Sequence, residues 1–209
     1  MTNRSLIFWD FMAKRYSRQP IADEEAYQKK LEVTRGYFKP DMKVMEFGSG
    51  TGSTAITHSP YVKHILAIDG STKMTEIARG KADKENIRNV TFKTSTIDEF
   101  DVLDQTYDVV MGLSILHLLK NKEEVITKVY KMLKTGGIFV TSTTCMGNTM
   151  KFAKFIAPIG RLFGLVLRVF TTKELKKSMT DAGFLIDHEW QPPGKNKAVF
   201  IVAKKPGRK

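Results

Sequence analysis

Apolar residues in this chain follow two spacings. Short, nearly continuous apolar runs occur as KVMEF (43–47), HILAID (64–69), VTFKT (90–94), YDVVMGL (107–113) and GIFVTST (137–143). Runs of this length, rich in β-branched residues, predict strands buried on both faces. Between them, apolar positions fall three and four apart. This spacing predicts helices near 51–58, over STKMTEIARGKADKE (71–85) with Ser71 as N-cap, and over roughly 121–134. Before the first strand, 5–17 and 23–38 read as two helices, with Asp23 as N-cap of the second and KPD (39–41) as its stop.

The C-terminal part has a different rhythm. TTKELKKSMTDAGF (171–184) predicts a helix capped by a threonine and terminated at Gly183. LIDHEWQ (185–191) and AVFIVAKK (198–205) follow as two strands joined by the turn PPGKN, which is too short for a crossover and favours an antiparallel pair at a sheet edge. Apolar strands separated by helices predict an α/β fold: a mostly parallel, doubly wound sheet with helices on both faces and an antiparallel final pair.

Composition narrows this picture. The chain has 209 residues and suits one α/β domain with added segments. Its single cysteine, Cys145, excludes an intrachain disulfide and fits a reducing cytoplasm, so a soluble cytoplasmic protein is expected. The opening MTNRSLIFWDFMAKRYS carries an apolar patch broken by Asp10, Lys14 and Arg15, which matches neither a signal peptide nor a membrane span. The net charge of +12 is uneven: residues 44–149 balance, whereas residues 150–209 carry thirteen Lys/Arg against four Asp/Glu. A basic segment of this kind suits nucleic acid, anionic lipid or an acidic small molecule, or else serves solubility together with the tail KKPGRK.

Candidate chemistry centres on VMEFGSGTGSTA (44–55). A strand that ends in a glycine-rich turn before a helix brings backbone N–H groups against a ligand with no Cβ in the way. A P-loop is excluded because no Lys-Ser/Thr follows the glycines. The dinucleotide fingerprint G-x-G-x-x-G fails at Ser53, and the extra glycine falls at Gly52, giving E-x-G-x-G-x-G. About twenty residues on, Asp69 ends the second strand, where an acid can accept hydrogen bonds from both hydroxyls of a ribose.

With these features in place, the chain resembles the class I S-adenosylmethionine-dependent methyltransferases, in particular the small-molecule type. The resemblance covers roughly residues 40–205 and rests on VMEFGSGTGSTA, LAIDGS, YDVVMGLSILHLL, MLKTGGIFV and LKKSMTDAGF. It implies a Rossmann-like seven-stranded sheet whose last strand is antiparallel, with S-adenosyl-L-methionine as cofactor and S-adenosyl-L-homocysteine as product. It also implies that Glu46, Gly48, Ser49, Gly50 and Gly52 hold the methionine part, Asp69 the ribose, and Gly70 and Met74 the adenine. Where the family usually has an acid for the adenine amino group, this chain has Thr96, followed by Ile97 and then Asp98, so Thr96 and Ile97 take the adenine contacts. Gly112, Leu113 and Ser114 would pass the sulfonium.

Methyl transfer needs alignment and, for some acceptors, a base. His117 is the candidate general base, set against a structural histidine at a helix start. Tyr16 is a second candidate, facing the cavity with Trp9 from an N-terminal lid. His58, His64 and His188 are scattered, and no cluster has metal-ligand spacing.

The organisation expected is one domain over 1–209: a helical lid (1–39), a cofactor-binding core (40–147), an apolar and basic insertion over the active site (148–170), a C-terminal helix with a strand pair (171–205) and a basic tail (206–209). The insertion interleaves phenylalanines with Lys151, Lys154, Arg161 and Arg168. It would roof an apolar acceptor pocket, touch a membrane surface peripherally, or only complete the core. The expected activity is methyl transfer to a small apolar or amphiphilic acceptor. The alternatives are an RNA or protein methyltransferase and a non-catalytic cofactor-binding or membrane-associated protein. Nucleic acid is disfavoured because no Asn/Asp-Pro-Pro-aromatic tetrad follows the fourth strand.

Overall fold

The computed structural model describes residues 3–102, 104–145, 147, 168–194 and 198–207. Helices α1 (Asn3–Tyr16) and α2 (Glu24–Arg35) precede the sheet. There follow β1 (Lys43–Phe47), α3 (Ser53–His58), β2 (His64–Asp69), α4 (Thr72–Lys84), β3 (Val90–Thr94), β4 (Tyr107–Leu113), α5 (Lys122–Met132) and β5 (Leu133–Thr143). The chain closes with α6 (Thr172–Asp181), β6 (Leu185–Trp190) and β7 (Val199–Lys204).

All seven strands join one sheet in the order β3-β2-β1-β4-β5-β7-β6. The first five run parallel, and β7 lies antiparallel between β5 and β6. The predicted fold class is therefore the observed one, with the C-terminal hairpin on one edge. The strand order reverses beside β1, whose neighbours are β2 and β4. At such a switch point the crevice outside the strand ends is open to a ligand.

The sheet separates two apolar cores. On one face, Met45, Phe47, Val110 and Phe139 pack with Val125 and Val129 of α5 and Leu175 and Met179 of α6. On the other, Val44, Ala67, Val109 and Val140 pack with Ala55 of α3 and Ala78 and Ala82 of α4. Alternate residues of β1 thus feed opposite cores, as strand pleating requires. Glu46 falls between Met45 and Phe47, on the same face as Val44.

The predicted caps form. Asp23 accepts from Ala26 N–H at 3.1 Å, Ser71 Oγ accepts from Met74 N–H at 3.1 Å, and Thr171 forms a reciprocal capping box with Glu174. Gly183, at φ +100°, ends α6. Two helix ends differ from the sequence expectation: the helix read over 23–38 already ends at Arg35, with Gly36 as its C-cap ahead of KPD. The helix read to residue 134 ends at Met132, and β5 begins at Leu133 because Leu133 pairs with Tyr107 ahead of a register shift. Strand pairing there outweighs the helical spacing.

The N-terminal helices lie against the rest of the fold through specific polar contacts. Asp10 of α1 accepts from Ser71 Oγ at 2.6 Å and from Lys73 N–H at 3.0 Å, which fixes α1 on the start of α4. Residues 148–167 of the insertion lie outside the described residues. Its two ends are nonetheless drawn together, because Gly147 N–H donates to Phe170 O at 3.0 Å. No helix among the described residues is long and apolar enough to cross a membrane.

Candidate functional site

The glycine loop leaves β1 through three left-handed residues, Gly48 at φ +65°, Gly50 at +54° and Gly52 at +77°. The loop is tied to the next strand: Ser49 N–H donates to Ile68 O at 3.0 Å, and Gly50 N–H donates to Asp69 Oδ2 at 2.8 Å. The other carboxylate oxygen, Asp69 Oδ1, accepts from Ser71 N–H at 2.8 Å. One side chain therefore fixes both the loop and the turn into α4. Each carboxylate oxygen keeps a further lone-pair direction for a ligand. Burial is the largest influence on Asp69 and raises its pKa; the two backbone hydrogen bonds oppose that shift, and the Asp10 charge adds to it.

Glu46 is only 3% exposed, and its Oε2 has no hydrogen-bond partner among the described residues. Burial, aided by the nearby Asp69 charge, pushes its carboxyl up to about 8. A buried carboxyl group without a counter-charge stays protonated near neutrality. A cationic ligand group beside it would favour the ionised form.

Two cavities open at the carboxyl ends of the strands. The first is a slot between α1 and the ends of β1, β2 and β4, lined by Leu6 and Trp9 together with Asp69, Gly70, Met74, Thr96 and Ile97. The second is larger, about 580 Å³, and lies under α2. Its walls come from Tyr27, Leu31 and Thr34 of α2, Glu46, Ser49, Thr54, Ser142 of β5, and Phe200 of β7. That volume falls within the range of small-molecule sites. The cavities share Tyr16, Gly48, Gly50, Leu113 and Ser114, so they meet over the glycine loop and the end of β4. Ser114 sits there at φ +56°, uncommon for a serine, with its N–H donating to Ser142 O at 2.7 Å.

Ten of the twelve cofactor positions expected from the sequence line one cavity or both: Glu46, Gly48, Ser49, Gly50, Asp69, Gly70, Met74, Thr96, Ile97 and Leu113. Gly52 and Gly112 line neither. A Cβ on Gly52 would come within 2.7 Å of the Phe92 ring, and one on Gly112 within 2.3 Å of the Phe47 ring. Core packing accounts for Gly112, and at Gly52 it adds to the left-handed backbone that already favours glycine. Thr96 has a local role as well, donating its hydroxyl to Glu99 Oε2 at 2.8 Å.

Of the two catalytic candidates, Tyr16 lines both cavities and stands edge-on to Trp9 at 6.1 Å. Burial first, then the Asp69 charge, raises its pKa, so the phenol stays protonated at neutral pH and presents an O–H donor. His117 lies in a 3-10 turn, Leu116–Leu118, and lines neither cavity. Burial lowers its pKa, its Nδ1 has no partner among the described residues, and its carbonyl accepts from Arg168 N–H at 2.8 Å, where the chain returns from the insertion. The neighbouring Ile115 and Leu118 line the first cavity.

Sequence reading missed Leu6, Ser95, Ile115, Leu118 and Leu119 in the first cavity and most of the wall of the second. Ser95, Ile115 and Leu118 neighbour positions already singled out, so the loops after β3 and β4 pointed to them. Tyr27, Thr34 and Phe200 carried no such signal. No group of three or more His, Cys, Asp or Glu residues suited to a metal occurs among the described residues.

The profile of a family described as a methyltransferase domain matches residues 38–192. An uncharacterised methyltransferase of Bacillus subtilis, YcgJ, is 26% identical over 110 residues, 53% of this chain and 44% of the relative. A malonyl-[acyl-carrier protein] O-methyltransferase of Bacillus cereus is 26% identical over 149 residues, 68% of this chain and 54% of the relative. The chain thus spans about half the length of these two relatives. The crystal structure of YcgJ superposes with a TM-score of 0.73 at 17% identity, covering 87% of this chain and 100% of that one.

Proposed function

The chain belongs to the methyltransferase-domain family, of the class I S-adenosylmethionine-dependent type, and on that premise we propose that it transfers a methyl group from S-adenosylmethionine to a small amphiphilic acceptor. One observation carries the reading: two cavities meet over the glycine loop, one closed by Asp69, the other bordered by Glu46 with an unpartnered carboxylate oxygen.

The residues present fit the cofactor. Asp69 has free lone pairs for ribose hydroxyls, and the slot formed by Met74, Ile97 and Leu6 suits a flat apolar ring. Gly50 leaves the approach to the loop open, since a Cβ there would meet nothing closer than the Tyr16 ring at 3.9 Å. Glu46 gains a counter-charge from the cationic part of the cofactor, which relieves the cost of its burial. When bound, S-adenosylmethionine supplies a methyl group on a sulfonium, with a neutral thioether as the leaving group.

The protein's own contribution is then mainly alignment and exclusion of water. Leu113 and Ser114 border both cavities and position the junction. Tyr16 borders it as well and brings a protonated phenol. The second cavity sets apolar walls, Leu31 and Phe200, against hydroxyls from Thr34 and Ser142, a lining suited to an acceptor with an apolar body and a polar group. His117 supports the end of the insertion through its carbonyl. An acceptor that is already ionised, such as a carboxylate or thiolate, needs no base from the protein.

Three of the described basic residues of the last third already have partners within the chain. Lys176 pairs with Glu189 at 2.7 Å, Lys177 with Asp181 at 2.7 Å, and Lys205 donates to the carbonyls of Tyr130 and Leu133. The test is a transfer assay with radiolabelled S-adenosylmethionine across thiols, amines, phenols, carboxylic acids and lipids, alongside calorimetry of the cofactor. Label on one class supports the reading. Absence of cofactor binding sinks it, and binding with label transferred only to RNA or protein overturns the acceptor assignment.

A further inference from the structure

Helix α1 has two unlike faces. At about 100° per residue, Leu6, Trp9, Ala13 and Tyr16 share the inner side; Ala13 is buried, and the other three line the first cavity. The opposite side carries Arg4, Ile7, Phe11, Lys14 and Arg15, all exposed, and Arg18 continues it just beyond the helix. Phe11 is 83% exposed and Ile7 62%, the two most exposed large apolar side chains described. The face holds no acid. Asp10, the one acid of α1, turns away to accept from Ser71 and Lys73.

We infer that this outer face of α1 docks on an anionic lipid surface. A helix that places an aromatic and an aliphatic side chain among cations, with no acid between them, matches the pattern of interfacial amphipathic helices, in which apolar groups enter the headgroup boundary while the cations meet lipid phosphates. The charge selects an anionic partner. The projecting pair Ile7 and Phe11 selects a lipid over a nucleic-acid backbone, which gains nothing from exposed aliphatic groups. The helix cannot bury that face by turning over, because its inner residues already roof the cavity and Asp10 fixes its rotation on α4. Docking therefore brings the first cavity and its junction with the second close to the membrane surface, within reach of an amphiphile held there. This inference is independent of methyl transfer: it concerns the face of α1 away from the cavities, and its test requires no turnover.

The test is sedimentation of the full chain with phosphatidylcholine vesicles, with and without phosphatidylserine, at low and high salt. The wild type is expected to pellet only with phosphatidylserine present and to be released by salt. Phe11→Asp is expected to weaken the partition about tenfold, and neutralising Lys14 or Arg15 with Gln about fivefold each. All three positions are exposed, so thermal melts and cofactor calorimetry should match wild type. Equal pelleting with pure phosphatidylcholine, or wild-type partition by Phe11→Asp, overturns the inference. So does a Phe11→Asp variant that changes only the sedimentation coefficient of the free protein, since the face would then join two copies of the chain. RNA binding without vesicle binding also overturns it.

Discussion

The two cavities share one wall but are built in different ways. The first is centred on two short stretches, the glycine loop and Asp69–Met74, joined by hydrogen bonds that the Gly50 and Ser71 N–H groups donate to Asp69. The second shares the glycine loop but sets against it α2 with the turn before it, and side chains of β5 and β7 that lie far away in sequence. A site built from two adjacent strand-to-helix turns is fixed by local backbone geometry. A site built from scattered side chains can change lining while the fold stays intact, as loop and lid residues do in other α/β proteins. We accordingly propose that the first cavity and the Glu46 edge of the second take the cofactor common to the family, and that the rest of the second takes an acceptor particular to this chain.

The largest expected effect breaks the first cavity. Asp69→Ala removes a candidate ribose acceptor and orphans the Gly50 and Ser71 N–H groups, so cofactor affinity should fall roughly a hundredfold. Calorimetry read beside a thermal melt separates loss of binding from loss of fold; unchanged affinity would remove Asp69 from the site. Ala198→Trp is the complementary change at the partly exposed rim of the second cavity. Acceptor KM should rise about tenfold while cofactor affinity holds. A matching loss of cofactor affinity would show that the cavities do not divide the ligands in this way.

A pH series sharpens the same comparison. Glu46 is raised to about 8, above its ordinary 4.5, so its contribution to apo-protein stability is full below 4.5 and is lost as pH rises towards 8. Ionised Glu46 is the form that meets a cation, so cofactor affinity should increase across that window. Glu46→Gln should flatten both trends in denaturant titrations and calorimetry. His58, fully buried under the second cavity and lowered to about 3 by burial and the Arg35 charge, acts oppositely: its contribution is complete above 6.5 and is lost as pH falls towards 3. The smallest expected effect is that of His117→Ala. His117 borders neither cavity, so kcat should change by less than about threefold. A loss of kcat of two orders of magnitude or more at unchanged KM would restore it as a general base.

The legibility of the two cavities from sequence differs in the same way. Gly48, Gly50 and Asp69 could be read because a glycine turn and a strand-terminal acid serve local backbone needs that one stretch reveals, whereas Met74 followed from the family resemblance. Gly52 belongs to the same turn but also abuts the Phe92 ring, and Gly112, read from the resemblance, abuts the Phe47 ring; neither lines a cavity. Tyr27, Thr34 and Phe200 looked like ordinary helix and strand residues, since nothing local marks a side chain whose neighbour lies more than a hundred residues away. His117 stood out by its residue type, and its place beside the returning chain at Arg168 could not be foreseen.

By itself, the sequence determined the parallel sheet, the caps at Asp23, Ser71 and Thr171, the antiparallel hairpin and the identity of the glycine loop. Each of these follows from spacing and from backbone preferences that act within a few residues. Only the tertiary structure decided that α1 turns Leu6 and Trp9 inward and leaves Phe11 bare, that Asp69 holds the loop it was expected to serve, and that a second cavity opens beneath α2. Those outcomes depend on which surfaces meet across the sheet, and burial and charge placement settle them between residues far apart in the chain.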